Sequence, residues 1–230
     1  MAYYPILMDL EGKRVLVVGG GGVAERKVRT LLEFGARVDV VSLDLSPALR
    51  DLSEGGRVQW AGREFEPSHL KGATLVIAAT DDAEANRRVS AACQKQGIPV
   101  NAVDQPADCT FIVPAVVRRG DLLLAVSTSG RSPALARSVR EELETRFGPE
   151  YADFLALMGS VREEVLAGGR DQKTNQAVFE SLVQSNLLDA VRRKDWSSAA
   201  GILTKILGTT WREADVLSRL ENGGRRTSWR

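Results

Sequence analysis

Four consecutive glycines, Gly19 to Gly22, constrain this chain more tightly than any other feature. Before them stands Arg14–Val18 (RVLVV), a β-branched apolar run of the kind that forms a strand buried on both faces. After them, Val23, Val28, Leu31 and Leu32 recur at helical spacing up to Phe34, and Gly35 suits the C′ position that ends such a helix. The segment Gly19-Gly20-Gly21-Gly22-Val23-Ala24 fits the pattern GxGxxA. In that pattern Gly19 permits a tight turn, Gly21 lets the backbone approach a pyrophosphate, and Ala24 lets the helix pack against the strand. Gly22 and Val23 open the helix, whose N-terminus stabilises phosphate charge, and join Gly19 and Gly21 as candidate cofactor-binding residues. The spacing alone is a weak signal, and a merely flexible glycine turn is the plainer alternative. A strand before, an amphipathic helix after and a second strand next make the dinucleotide reading the stronger one.

That alternation persists. Arg37–Val41 (RVDVV) reads as a second strand, and Ser46-Pro47 opens a helix as N-cap and first turn. Val58–Trp60 is a weak third strand and Thr74–Ala78 (TLVIA) a strong fourth. A helix over Ala83–Gln96 and a fifth strand at Ile98–Ala102 follow. Parallel neighbours need crossover helices, so this order predicts an α/β fold with a Rossmann-type, doubly wound parallel sheet. In such sheets an acid about 20 residues beyond the glycine loop takes the ribose hydroxyls. Asp44, just past the second strand and beside Leu43, is the candidate, unless it only opens the following loop. Asp39 lies inside the strand and is less well placed. No arginine adjoins Asp44 in the sequence, which favours NAD over NADP. Thr80, Asp81 and Asp82 follow the fourth strand at the ligand edge of the sheet. Thr80 is expected to touch the cofactor, and Asp81 or Asp82 to cap the next helix.

Beyond residue 110 the pattern changes. Phe111–Val117 and Leu122–Ser127 are apolar runs joined by the polar turn Arg118-Arg119-Gly120-Asp121, which reads as a β-hairpin outside the parallel sheet. From Ser132 onward the chain is helical: SPALARSVREELETRF, YADFLALMGSVREEVL, then two or three further amphipathic helices to about Leu207. Trp196, Leu203 and Ile206, at helical spacing, are most simply core. The last dozen residues, with Arg219, Arg225, Arg226 and Arg230, read as a frayed polar tail.

Bulk composition narrows the function classes. Hydrophobic residues at 43% and charged ones at 27% describe a soluble globular chain. Lys plus Arg (31) nearly cancels Asp plus Glu (30), so no general nucleic-acid binding is expected. No apolar run reaches the ~18 residues of a membrane helix. The opening MAYYPILMDLEGKRV lacks a basic region followed by a long apolar stretch, so no signal peptide is expected. Cys93 and Cys109 lack metal-ligand spacing and fit a reducing cytoplasm better than a disulfide framework. Cys109 reads as a small buried filler. His69, the single histidine, lies in a polar stretch, and no resident metal site is expected.

The runs GGGGVAERKVRTLLEFGARVDVVS, LVIAATDDAEAN and NAVDQPADCTFIVPAVVRRGDLLLAVSTSGRSPALARSVREELE closely resemble the siroheme synthase N-terminal family, over residues 4–147. The remaining residues match only in being helical, and the methyltransferase activity fused to some members is not expected here. Such proteins are precorrin-2 dehydrogenases, some of them also sirohydrochlorin ferrochelatases. The resemblance thus implies oxidation of precorrin-2 to sirohydrochlorin, with hydride passing to NAD, in siroheme or cobalamin biosynthesis. It also implies a cytoplasmic homodimer in three parts. These are an NAD-binding Rossmann domain (1–112), a small α+β dimerisation region (113–148) and an all-helical C-terminal domain (149–230). Fe2+ or Co2+ enters only as a transient substrate, and neither nucleic acid nor membrane is a partner.

The family's key acid lies in an N-x-x-D segment, here Asn101-Ala102-Val103-Asp104, at the end of the fifth strand. The resemblance makes Asp104 the catalytic residue, accepting a proton as the hydride leaves, or pyrrole protons during metal insertion. A positioned base of this kind contributes about 10²–10⁴-fold. Without the resemblance Asp104 reads as a turn residue before Gln105-Pro106. Asn101 becomes a substrate-binding residue, and Asn86 matches the TDD-x-x-x-N pattern that holds the Thr80 loop. Ser127, Thr128, Ser129, Gly130, Arg131 and Ser132 form a hydroxyl-rich strand-to-helix turn suited to anions, and precorrin-2 is a polycarboxylate. With Arg137 they are the candidate substrate set, the two arginines offering guanidinium forks. Against this, Ser132-Pro133 is also an ordinary helix start, and Arg118 and Arg119 read as solvated. Two other classes stay open: ferrochelation in the same pocket, which Asp104 equally permits, and a non-catalytic NAD-sensing module.

Overall fold

The computed structural model describes residues 3–223, and the chain divides into two compact units, Met1–Val113 and Pro114–Arg230. In the first unit β1 (Arg14–Val18), β2 (Arg37–Val41), β3 (Val58–Gly62), β4 (Leu75–Ala78) and β5 (Val100–Ala102) form one sheet. All pairs are parallel, in the order β3-β2-β1-β4-β5. The crossovers use α1 (Gly22–Glu33), α2 (Pro47–Glu54) and α3 (Ala83–Lys95), with a short 3₁₀ turn at Pro67–Leu70 between β3 and β4. Alternate β1 residues serve opposite faces. Val15 and Val17 pack with Ala24 and Val28 of α1 and Leu49 of α2, while Leu16 and Val18 pack with Val89 and Cys93 of α3. A strand that must be apolar on both sides therefore reads as an unbroken run, as RVLVV does. Burial raises the Cys93 thiol to about 11, as befits a core filler. Asp39 pairs with Arg14 at 2.6 Å and is nearly buried, so this acid belongs to the fold rather than to a site.

In the second unit β6 (Ala115–Arg119) and β7 (Leu122–Val126) pair antiparallel, with Arg119 opposite Leu122. The turn is therefore only Gly120-Asp121, with Gly120 at φ +58, the positive φ that two-residue hairpin turns demand. Arg118 and Arg119 are strand residues, not turn residues. Arg119 is not simply solvated either: its Nε donates to the Phe147 carbonyl (2.9 Å) and an Nη to that of Glu144 (3.3 Å). Those carbonyls end α4 (Pro133–Arg146), where a cation is favoured.

Among the described residues five more helices follow: α5 (Glu150–Ala167), α6 (Gln172–Gln184), α7 (Leu187–Arg192), α8 (Trp196–Leu207) and α9 (Glu213–Gly223). Leu157, Val161, Leu182, Leu187, Leu203 and Val216 are their buried core, with Trp196 and Ile206 packed against it. Helix α9 takes in the first part of the expected frayed tail, residues 219–223. Its Arg219 pairs with Glu164 at 2.9 Å and lies over the Trp211 ring at 4.9 Å. Arg225, Arg226 and Arg230 lie outside the described residues. Among those described, no helix is long and apolar enough to cross a membrane.

Candidate functional site

Register fixes the site. Val18 pairs with Val41 and with Ala78, and Ala78 pairs with Ala102, so the four strands end in one row. The ladder runs one residue further: Gly19 N–H donates to Val41 (2.8 Å), Ala79 N–H to Val18 (2.7 Å) and Val103 N–H to Ala78 (2.9 Å). The chain order reverses between β1 and β4, which is where doubly wound sheets open a ligand crevice at their C-terminal edge. A cleft of about 770 Å³ lies there, and Gly19, Gly21, Leu43, Asp44 and Thr80 line it.

The glycine loop divides into two halves. A Cβ on Gly19, which holds φ +128, would strike the carbonyl of Ala79. A Cβ on Gly20 would strike the Asp44 carbonyl and the Ser42 side chain. Gly21 and Gly22 have open space in the same direction, so the backbone there is accessible to a bound group. Gly21 is also the N-cap of α1 and offers no side-chain cap, whereas Ser46 caps α2 and Asp82 caps α3. The first N–H groups of α1, including those of Gly22 and Val23, are thus left for an anion, which fits a dinucleotide pyrophosphate. Ala24 is fully buried against the sheet, as the motif requires. Gly20 was not foreseen, because the motif leaves its position free. It is glycine because the loops after β1 and β2 touch there, with Ser46 N–H donating to the Gly20 carbonyl at 2.8 Å.

Asp44 is largely exposed. Its Oδ1 accepts from the Leu45 N–H (2.9 Å) and from an Nη of Arg50 (2.7 Å). The expectation that no arginine stands beside Asp44 holds along the chain but not in space. The loop into α2 and that helix's first turn carry Arg50 back to it. Glu25, in the first turn of α1, accepts from the Ser46 hydroxyl (2.9 Å) and from Arg29 (3.0 Å). The Ser46 hydrogen bond, then that of Arg29, holds its carboxyl below the usual range.

On the β4 side, Thr80 N–H and hydroxyl both donate to Asn86 Oδ1 (3.1 and 2.8 Å), and Asn86 Nδ2 donates back to the Thr80 carbonyl (3.0 Å). Asn86 is buried, so it holds the loop as expected. Asp82, not Asp81, is the helix cap. The Ala85 and Glu84 N–H groups lower its carboxyl below the usual range.

Asp104 lies two residues past the end of β5 and is exposed, with φ +59, a left-handed conformation rare outside glycine. The loop that presents it is closed at its base. Thr110 Oγ1 accepts from Val100 N–H (2.8 Å), and Asn101 Nδ2 donates to the Phe111 carbonyl (3.0 Å). Cys109 is a working part of that closure rather than filler, since its Sγ accepts from Ala102 N–H at 3.2 Å. Asn101 is therefore committed to shaping the loop through its amide nitrogen. Lys27, on α1, was missed. Burial, with Arg26 beside it, pushes its ammonium below the lysine range, and the Asp104 charge opposes that shift. Nothing in a helical stripe marks such a lysine.

In the second unit the hydroxyl-rich turn spends most of its polar groups on itself. Ser127 Oγ accepts from Ser129 N–H (3.1 Å), Thr128 Oγ1 from Ser132 N–H (3.1 Å), and Ser132 Oγ from Leu135 N–H (3.2 Å). Ser129 and Gly130 take positive φ. Arg137 pairs with Glu141 one helical turn on (2.9 Å) and is not a bare guanidinium. Arg131 is exposed at the turn. Among the described residues no cluster of acids, histidines or cysteines could hold a metal ion.

Residues 6–115 match a family model described as NAD(P)-binding, and residues 119–146 match that of the sirohaem biosynthesis protein central region. A siroheme synthase of Methylobacillus flagellatus is 49% identical over 207 residues, covering 90% of this chain and 44% of that protein. Siroheme synthase 1 of Aeromonas salmonicida is 42% identical over 200 residues, covering 86% and 43%. The chain belongs to the siroheme synthase N-terminal family. It spans a little under half the length of these curated relatives. A solved structure described as SirC, precorrin-2 dehydrogenase, superposes with a TM-score of 0.71 at 23% identity, covering 90% of this chain and all of that one. That likeness carries the fold.

Proposed function

We propose that this family member is an NAD-dependent precorrin-2 dehydrogenase. The observation that carries this reading is the placement of Asp104, on the same edge of the sheet as the open glycine loop and held out by a loop closed beneath it. When bound, NAD supplies the hydride acceptor. Oxidation of precorrin-2 to sirohydrochlorin then needs a base for the departing proton, and Asp104 takes it. Gly19, Leu43, Asp44 and Thr80 line the nucleotide cleft, Gly19 making the tight turn, and Gly21, Gly22 and Val23 receive the pyrophosphate. The turn at 127–132, chiefly through Arg131, receives substrate carboxylates. Residues 113–148 form the dimerisation region of a cytoplasmic homodimer.

The test is an anaerobic incubation with NAD and precorrin-2, following NADH absorbance, with NADH binding measured separately by fluorescence. Turnover is expected in the unaltered protein. Asp104→Ala is expected to keep NADH binding and lose turnover. NADH binding without any turnover in the unaltered protein would move the assignment to a sensor. The relatives are siroheme synthases, which favours a second reaction at the same site, insertion of Fe2+ into sirohydrochlorin. Adding Fe2+ to the product and looking for the siroheme spectrum tests it.

A further inference from the structure

Around Asp44 the two carboxylate oxygens differ. Oδ1 is held twice, by the Leu45 N–H and by Arg50, whereas Oδ2 receives no hydrogen bond among the described residues. Arg50 uses only one Nη, so its Nε and second Nη keep their donors. Both side chains are more than half exposed, at 51% for Arg50 and 79% for Asp44, and Asp44 lines the cleft. Arg63, in the segment after β3, and Arg88, on α3, line the same cleft, and neither side chain makes a hydrogen bond among the described residues. An acid at the ribose position normally excludes a 2′-phosphate by charge repulsion, and an arginine there accommodates it. Here the position holds both, in contact.

We propose that Arg50 is the residue that sets the choice between NAD and NADP, and that the cleft accepts both with a narrow preference. The proposal rests on the dinucleotide reading of the cleft. Arg50 fixes the carboxylate so that Oδ2 faces the ribose hydroxyls, which serves NAD. The same guanidinium cancels the charge that a 2′-phosphate meets at Asp44 and offers that phosphate its unused donors, which serves NADP. An aspartate alone would do only the first. An arginine alone would do only the second.

Direct binding tests this without substrate. NADH and NADPH fluorescence titrations on the full chain give two dissociation constants, whose ratio is the readout. In the unaltered protein the ratio is expected to lie within about tenfold of unity. Arg50→Ala is expected to widen it by about tenfold or more in favour of NADH, because the 2′-phosphate then meets an uncancelled carboxylate. Asp44→Ala is expected to invert it in favour of NADPH. Arg50→Gln, which keeps the polar side chain but not the charge, should behave as Arg50→Ala and guards against a folding defect in the first variant. An unchanged ratio in both Arg50 variants overturns the proposal, as does an unaltered protein that binds NADH but not NADPH. Failure of both nucleotides to bind the folded, unaltered protein overturns the dinucleotide reading itself, and this proposal with it.

Discussion

Asn86 answers all three backbone and side-chain polar groups of Thr80 at once, accepting from its N–H and hydroxyl through Oδ1 and donating to its carbonyl through Nδ2. One buried amide thereby sets the shape of the loop that follows β4. Asn86→Ala leaves the Thr80 N–H and carbonyl without that partner, and a buried unmade hydrogen bond costs about 1–3 kcal/mol. Urea unfolding is expected to show a loss in that range, and NADH binding to weaken along with it. A variant as stable as the parent would mean that water replaces the amide without loss.

Gly20 and Gly21 are adjacent and should fail in opposite ways. A methyl on Gly20 has no room between the Asp44 carbonyl and Ser42, so Gly20→Ala is expected to destabilise the fold by about 1–3 kcal/mol. Gly21 faces open space at an ordinary φ of −82. Gly21→Ala is therefore expected to fold as well as the parent, or slightly better, and to lose NADH affinity by about tenfold or more. Thermal melts with and without NADH separate the two. Equal destabilisation by both would contradict the division of the loop into a packed half and an open half.

Asp104 stores backbone strain where the reaction is proposed to occur. A non-glycine residue in the left-handed region costs about 1–2 kcal/mol, although aspartate tolerates it better than alanine. Stability is expected to rank Asp104→Gly above the parent and the parent above Asp104→Ala, with a spread of about 1 kcal/mol measured in urea. Both variants are expected to be inactive, because the carboxylate is gone from each. Full activity in Asp104→Gly would remove Asp104 from the chemistry.

The parallel sheet was legible because its strands are apolar on both faces and its helices on one. RVLVV and TLVIA carry that signal without help from their surroundings. The glycine loop was legible for its open half only. Gly20 answers a contact between two loops distant in the chain, which no motif spacing encodes. Arg50 escaped for the same reason: six residues separate it from Asp44 in sequence, and only the start of α2 brings them together. Helix α9 was lost because its inward stripe is short, Val216 and Leu220 set among polar residues, and the core that receives it is built by helices distant in the chain. Asp104 was named through family resemblance. Its left-handed backbone gives an independent physical sign of a special role, though no sequence rule could have supplied it.

Lys27 gives a pH-dependent prediction. It precedes the fully buried Val28 on α1, and burial, then the neighbouring Arg26, lowers its ammonium below the ordinary lysine range, against the opposing pull of Asp104. Between the lowered folded value and the ordinary one, the unfolded chain binds more protons than the folded chain, so stability rises with pH across that interval. The charged form is thus a cost at neutral pH, and the cost fades as the pH climbs toward the ordinary lysine value. Lys27→Met, which keeps the length and removes the charge, is expected to raise the urea midpoint at neutral pH. The gain should shrink when the comparison is repeated at ~pH 10. A gain of the same size at both pH values would assign the effect to packing and not to the desolvated charge.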